Sequence, residues 1–202
     1  MDWVLSFFVG LSFSYVGSIP PGMININVLQ LAMQNKKSAA LSFTSAAVLV
    51  ELVYVVIAVR FQIFLNENTN LTDHFQLISA IVLIGLGFAN LLNKRQFIMP
   101  SEKGEKRNAF KRGTLISLAN PLAIPFWLAV TAYLQTMEWI TLEGAYSYYI
   151  TGIAFGTFLL LSTIILLASK YSIVLNNRFL VYKVPGLIFI AMGGWAFYQW
   201  IY

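Results

Sequence analysis

Glu51 lies inside an apolar run, Ala39 to Val59, that contains no other acidic or basic residue. It is about 12 residues, or about 18 Å at ~1.5 Å per residue, from the start of that run. A charged carboxylate at such a depth costs at least ~2.5–3.5 kcal/mol on insertion scales, so it is expected to face neighbouring helices or a polar cavity. No Lys or Arg lies within an apolar run to pair with it. The chemistry this suggests is uptake and release of a proton. The alternative is a permanently protonated acid hydrogen-bonded to the next helix.

Two further stretches carry polar groups into apolar surroundings. The first, Tyr15 to Asn27, contains Pro20, Pro21, Gly22, Asn25 and Asn27. Proline lacks an N–H and clashes with the preceding turn, and Ile19 before it is pushed toward extended geometry, so no straight helix runs through. The second is Asn120-Pro121-Leu122-Ala123-Ile124-Pro125, with Ser117 one turn earlier. A break of this kind leaves backbone groups unpaired, which lipid tolerates only where protein or a water-filled cavity receives them. Pro21, Gly22, Asn25, Ser117, Asn120 and Pro121 are therefore the candidate substrate-binding residues. Asn25 and Asn27 are about 200° apart on a regular helix, so at most one of them is expected to line a site. Packing kinks, and interhelical hydrogen bonds worth ~0.6 kcal/mol on average, remain the structural alternatives.

An enzyme is hard to assemble from this inventory. His74 is the single histidine and cysteine is absent, which excludes most metal sites and nucleophile–base pairs. There is no phosphate-cradling or dinucleotide motif. No metal, cofactor or nucleic acid is expected.

The elements that must position these residues are membrane spans. The chain has 202 residues, of which 58% are hydrophobic and 10% charged, with mean hydropathy +0.72. Six apolar blocks each approach the ~20 residues a helix needs to cross a bilayer. They cover about 3–32, 39–59, 75–92, 113–137, 146–169 and 182–200, and the polar stretch Asn66 to His74 reads as an external loop. The start, Met1-Asp2-Trp3, lacks a basic region, so the first block is expected to be retained. Twelve of the thirteen basic residues fall in alternate loops, at 36–37, 94–112 and 170–183, with only Arg60 on the other side. The positive-inside rule makes those loops cytoplasmic and places both termini outside. Trp3, Trp139, Tyr148, Tyr149, Trp200 and Tyr202 fall near the outer ends, as an interfacial aromatic belt would. Gly152 and Gly156 form a GxxxG, and Gly85, Gly87, Gly193 and Gly194 add smooth surface for close helix packing.

The halves correspond. A shift of 101 residues carries Pro20 onto Pro121 and the second span onto the fifth. Three spans per half require copies inserted with opposite orientation. The expectation is an all-α, single membrane domain: repeat 1 over about 1–93, a basic cytoplasmic loop over about 93–112, and repeat 2 over about 113–202, with spans 1 and 4 broken.

Over its whole length the chain resembles the LysE-type amino-acid exporters, which include lysine and homoserine/threonine efflux proteins. Pro21-Gly22-Met23-Ile24-Asn25 is similar to that family's Pro-Gly-Pro-x-Asn, and Glu51 occupies the place of its second-span acid. Phe110-x-x-Gly113 followed by Asn120-Pro121-Leu122-Ala123 is similar to its Phe-x-x-Gly and Asn-Pro-Lys-Ala. Met23 and Leu122 replace a proline and a lysine, Ser117 replaces an asparagine, and Val50 stands where a glycine often precedes the acid. The resemblance implies proton-coupled export of an amino acid or similar zwitterion across a bacterial inner membrane. The implied partners are that small molecule and the bilayer, with a homodimer left open. A channel or carrier of another solute class, and a non-transporting assembly subunit, are the alternatives. The lack of cysteine excludes the thiol-redox conduits of the wider superfamily.

Overall fold

A computed structural model describes residues 2–19, 22–67, 69–92, 106–120, 123–140, 144, 146–168, 170 and 183–201. Among them the regular structure is helical throughout: α1 (Asp2–Gly17), α2 (Met23–Met33), α3 (Lys37–Glu67), α4 (Thr69–Leu92), α5 (Lys106–Leu118), α6 (Ala123–Thr136), α7 (Tyr146–Leu166) and α8 (Val184–Ile201). The first apolar block is divided between α1 and α2 and the fourth between α5 and α6. The two halves of the latter pair are bent by 64°.

By length and composition alone, Lys37–Leu65 and Tyr146–Leu166 can each cross a membrane, and the bent pair Asn108–Leu118 and Ala123–Thr136 can serve as a third span. Trp3–Gly17, Met23–Met33, Leu77–Leu92 and Gly186–Tyr198 are shorter apolar helices.

Two boundaries differ from the sequence expectation. Asn66 to His74 is helical apart from Asn68, which lies outside the described residues, and α5 starts within the basic loop at Lys106. Polar residues end a hydrophobic run without ending a helix, because the backbone hydrogen-bond ladder continues into water.

Glycines set the helix directions, because they let backbones approach closely. Gly152 packs on Phe7 and Leu11, and Gly156 on Leu11 and Ser14, so the numbering of α1 and α7 rises together and the two run parallel. Gly113 meets Phe43 and Ala46, while Tyr54 reaches Leu118, so α5 runs parallel to α3. Gly186 lies against Gly87 and Leu91, and Gly193 against Ala80 and Ile84, so α4 and α8 run antiparallel. Gly85 and Gly194 face open space.

Exchanging α1 with α5, α2 with α6, α3 with α7 and α4 with α8 turns the α1–α7 contact into α5–α3 and α2–α7 into α6–α3. It leaves α3–α7 and α4–α8 as they were. The exchange is incomplete among the described residues: α4 packs on α6, and α2 on α3, without comparable counterparts.

The interior forms two apolar clusters. One joins Val28 and Leu29 of α2, Phe43 and Ala47 of α3, and Leu160 and Ile164 of α7. The other joins Val55 and Val59 of α3, Leu83 of α4, Trp127 and Val130 of α6, Tyr149 and Ile153 of α7, and Phe189 of α8. Tyr149 is thus a core residue, contrary to the belt position expected from sequence. It is fully buried, its backbone carries the approach of Gly10, and its hydroxyl pairs with Thr131 at 3.1 Å. Trp3, Tyr148, Trp139 and Trp200 are exposed, with Trp3 and Tyr148 in ring contact. Tyr202 lies outside the described residues.

Candidate functional site

On α3, the first cluster ends at Ala47 and the second begins at Leu52 and Val55; Glu51 falls between them. On α7, the change comes between Ile153 and Leu160, and Thr157 falls there. On α1, Phe13 packs on one cluster and Tyr15 on the other, with Ser14 between. These three polar side chains form a layer between two apolar cores.

Nε1 of Trp127 donates a hydrogen bond to Oε1 of Glu51 at 3.3 Å. On α7, the Thr157 hydroxyl bonds the Ser14 hydroxyl of α1 at 2.6 Å in a buried pair. The partly buried acid on α3 is therefore joined to α6, and a separate polar pair joins α7 to α1. Because α6 belongs to the second broken block, Glu51 is tied to that interruption.

At the first break, the amide of Asn25 donates to the carbonyl of Ser18 at 2.6 Å, and the Ser18 N–H bonds the carbonyl of Ser14 at 3.0 Å. Gly22 is extended (φ −88°, ψ 179°) and caps α2 without a side-chain hydrogen bond. Asn27 turns its amide back onto Met23 at 2.7 Å. Both asparagines are buried. Their amides satisfy backbone carbonyls, which the helical-wheel reading did not anticipate. Pro21 lies outside the described residues.

At the second break, the Tyr54 hydroxyl donates to the carbonyl of Leu118 at 3.0 Å. Tyr54 is three residues beyond Glu51, so neighbouring positions on one face of α3 hold α5 and α6 on either side of the break. Ser117 is buried and its hydroxyl has no partner among the described residues. Asn120 is exposed, with its N–H on the Ser117 carbonyl at 3.1 Å. Pro121 lies outside the described residues.

A 170 Å³ pocket between α1, α6 and α8 reaches both breaks, at Gly17 and at Phe126. Phe13, Val16, Val130, Ile188, Phe189 and Met192 complete its apolar wall, and Ser12 is its one polar residue. The candidate residues do not line this pocket. Glu51, Asn25, Ser117 and Asn120 are brought to the breaks rather than gathered around one chamber.

The arrangement can carry a proton. Indole N–H is a donor only, so Oε1 accepts in either state of the acid, and a carboxyl oxygen alternates between bare and protonated. Among the described residues no group of three or more His, Cys, Asp or Glu could hold a metal. Sequence reasoning missed Trp127, Thr157, Ser14 and Tyr54. The available signal for Trp127 was a tryptophan just past a break, away from any span end.

A family model described as LysE type translocator matches residues 15–199, nearly the whole chain. No curated protein gives a significant match, and neither does any solved structure.

Proposed function

The chain belongs to the LysE type translocator family, and on that premise we propose that it is a secondary transporter exporting an amino acid or similar small zwitterion by alternating access, driven by proton uptake at Glu51. Members of this family are transporters rather than enzymes. The observation that carries the reading is the hydrogen bond from Trp127 to Glu51, which ties the lone acid of α3 to the helix that follows the second break.

The architecture proposed with it is six spans in two inverted repeats within one membrane domain. Parallel α1 and α7, parallel α3 and α5, and antiparallel α4 and α8 are the directions that six alternating crossings require. The substrate carboxylate is assigned to the α2 N-terminus at Gly22 and Asn25, and the ammonium to the carbonyl end of α5 near Ser117 and Asn120, following the helix dipoles. The charge bias of the loops supports an inner-membrane protein of bacterial type with both termini outside.

The test is transport in proteoliposomes loaded with single amino acids. Export along an imposed pH gradient is expected in the wild type and is expected to vanish in Glu51→Gln, with folding retained. Undiminished gradient-driven flux in Glu51→Gln would remove the acid from the mechanism. Trans-stimulated exchange of labelled substrate distinguishes a carrier from an open pore.

A further inference from the structure

The 170 Å³ pocket between α1, α6 and α8 is walled almost wholly by carbon. Phe13, Val16 and Gly17 come from α1, Phe126 and Val130 from α6, and Ile188, Phe189 and Met192 from α8; Ser12 is the one polar residue and none is charged. Water held in a cavity needs about two to four polar partners, which this wall does not supply. An ionised side chain would lose its hydration here without a counter-charge. The occupant that fits is therefore apolar. Its size follows from the volume, because an engineered cavity of about 150 Å³ lined by Leu, Ile and Phe takes up benzene.

Position says which apolar group that is. Gly17 is the last residue of α1, before the first break, and Phe126 lies in the first turn of α6, after the second. The two meet across the breaks: a Cβ on Gly17 would lie 2.9 Å from Cζ of Phe126. The Phe126 ring in turn meets Phe189 edge-on at 5.6 Å and Trp127 at 5.0 Å, and Trp127 holds Glu51. Resting on the reading of the chain as an amino-acid exporter whose substrate head group is held at the breaks, we propose that this pocket receives the substrate's side chain. It selects amino acids whose side chain is large and apolar, such as leucine, isoleucine, methionine and phenylalanine.

The polar candidates fit this division of labour. Asn25, Ser117 and Asn120 lie off the pocket wall, so the charged ends of a zwitterion and its carbon chain meet different surfaces. The floor, Val130, Phe189 and Met192, is buried, whereas Val16 and Ile188 at the rim are more open. Phe13, Phe126 and Phe189 offer edges and faces to an aromatic ring. Met192 is unbranched and polarizable, so it can follow either an aliphatic or an aromatic occupant. A lipid acyl chain is the competing apolar group. A pocket of this size holds only a few of its methylenes, and adjacency to both breaks favours a short group tethered to a head held there.

The test is exchange of single labelled amino acids in proteoliposomes of the full chain. Leucine, methionine and phenylalanine are expected to exchange about tenfold or more faster than serine, lysine and glutamate, the low end of what one methylene is worth in an apolar pocket. Val16→Trp fills the pocket from its rim and is expected to lower the phenylalanine-to-alanine rate ratio by about tenfold. Met192→Ala deepens the floor and is expected to raise the tryptophan-to-leucine ratio. Each ratio is internal to one variant, so a loss of folded protein does not imitate it, and the wild-type ranking is read independently of both variants. If serine, lysine or glutamate exchanges as fast as leucine, or if both variants keep the wild-type ratios, the side-chain pocket is overturned and the exporter reading stands. If the ratios hold while the phospholipid recovered with the variants changes, the occupant is an acyl chain and the proposal is likewise overturned. If no amino acid exchanges in the wild type, both fall together.

Discussion

The bond between Trp127 and Glu51 can run in one direction only: the indole donates and Oε1 accepts, at 3.3 Å. It joins the middle of α3 to the first turns of α6, immediately beyond the second break. The tryptophan ring is buried in one of the two apolar clusters, with only its N–H turned toward the acid. The same side chain thus anchors the hydrocarbon core and senses the charge beside it.

Trp127→Phe keeps most of the ring and removes the donor. A hydrogen bond to a charged group contributes about 1.5–3 kcal/mol, roughly twice a neutral one, so its loss weakens the charged form of Glu51 more than the protonated form. The expected result is a melting temperature close to wild type at acidic pH and lowered at alkaline pH. An equal loss at both ends of the pH range would show that the indole serves packing alone.

Asn25 latches the first break, and its amide can be tested against its own isostere. Asn25→Ala leaves the Ser18 carbonyl without this donor, at about 1–3 kcal/mol for a buried group. Asn25→Asp, nearly the same shape, sets an oxygen against that carbonyl and is expected to be at least as damaging to thermal stability and flux. If Asp is tolerated better than Ala, the amide is not a donor here and the latch is wrong.

The glycines divide into two groups by what a methyl would meet. Gly152→Ala and Gly156→Ala push α7 off the backbone of α1 and are expected to destabilise by about 1–3 kcal/mol, the usual range for overpacking. Gly85→Ala and Gly194→Ala project into open space, where alanine gains up to about 1 kcal/mol in helix propensity, so they are expected to be neutral or stabilising. Melting of the four variants in one detergent decides it.

The loop charges predict sidedness. Lys37 begins α3 and Ser147 lies in the first turn of α7, both exposed. In right-side-out vesicles, an impermeant thiol reagent is expected to label Ser147→Cys and to spare Lys37→Cys until the bilayer is permeabilised. The opposite pattern would invert the topology.

The breaks and the acid were legible in the sequence because their causes are local. Pro20, Pro21 and Pro121 interrupt a helix wherever they stand, and a lone Glu51 in an apolar run is conspicuous by composition. The partner of that acid, Trp127, was not legible, and neither was the pairing of Ser14 with Thr157. Ser14 and Thr157 look like ordinary small residues of apolar helices, and only the approach of α7 to α1 at Gly156 makes them a pair. Asn25 and Asn27 were judged on an ideal helical wheel, whereas the break supplies Asn25 with the Ser18 carbonyl and Asn27 turns back onto Met23 within its own helix. Asn66 to His74 was read as a loop because polarity reports on solvent, which an extending helix can also meet.

The two apolar clusters share α3 and α7 but no side chain, and the polar layer divides them. Each cluster is packed by its own side chains, so under the alternating-access reading one can loosen while the other stays dry and blocks leakage of ions. A barrier built as two separate seals needs no single moving gate, because each seal can yield in its turn.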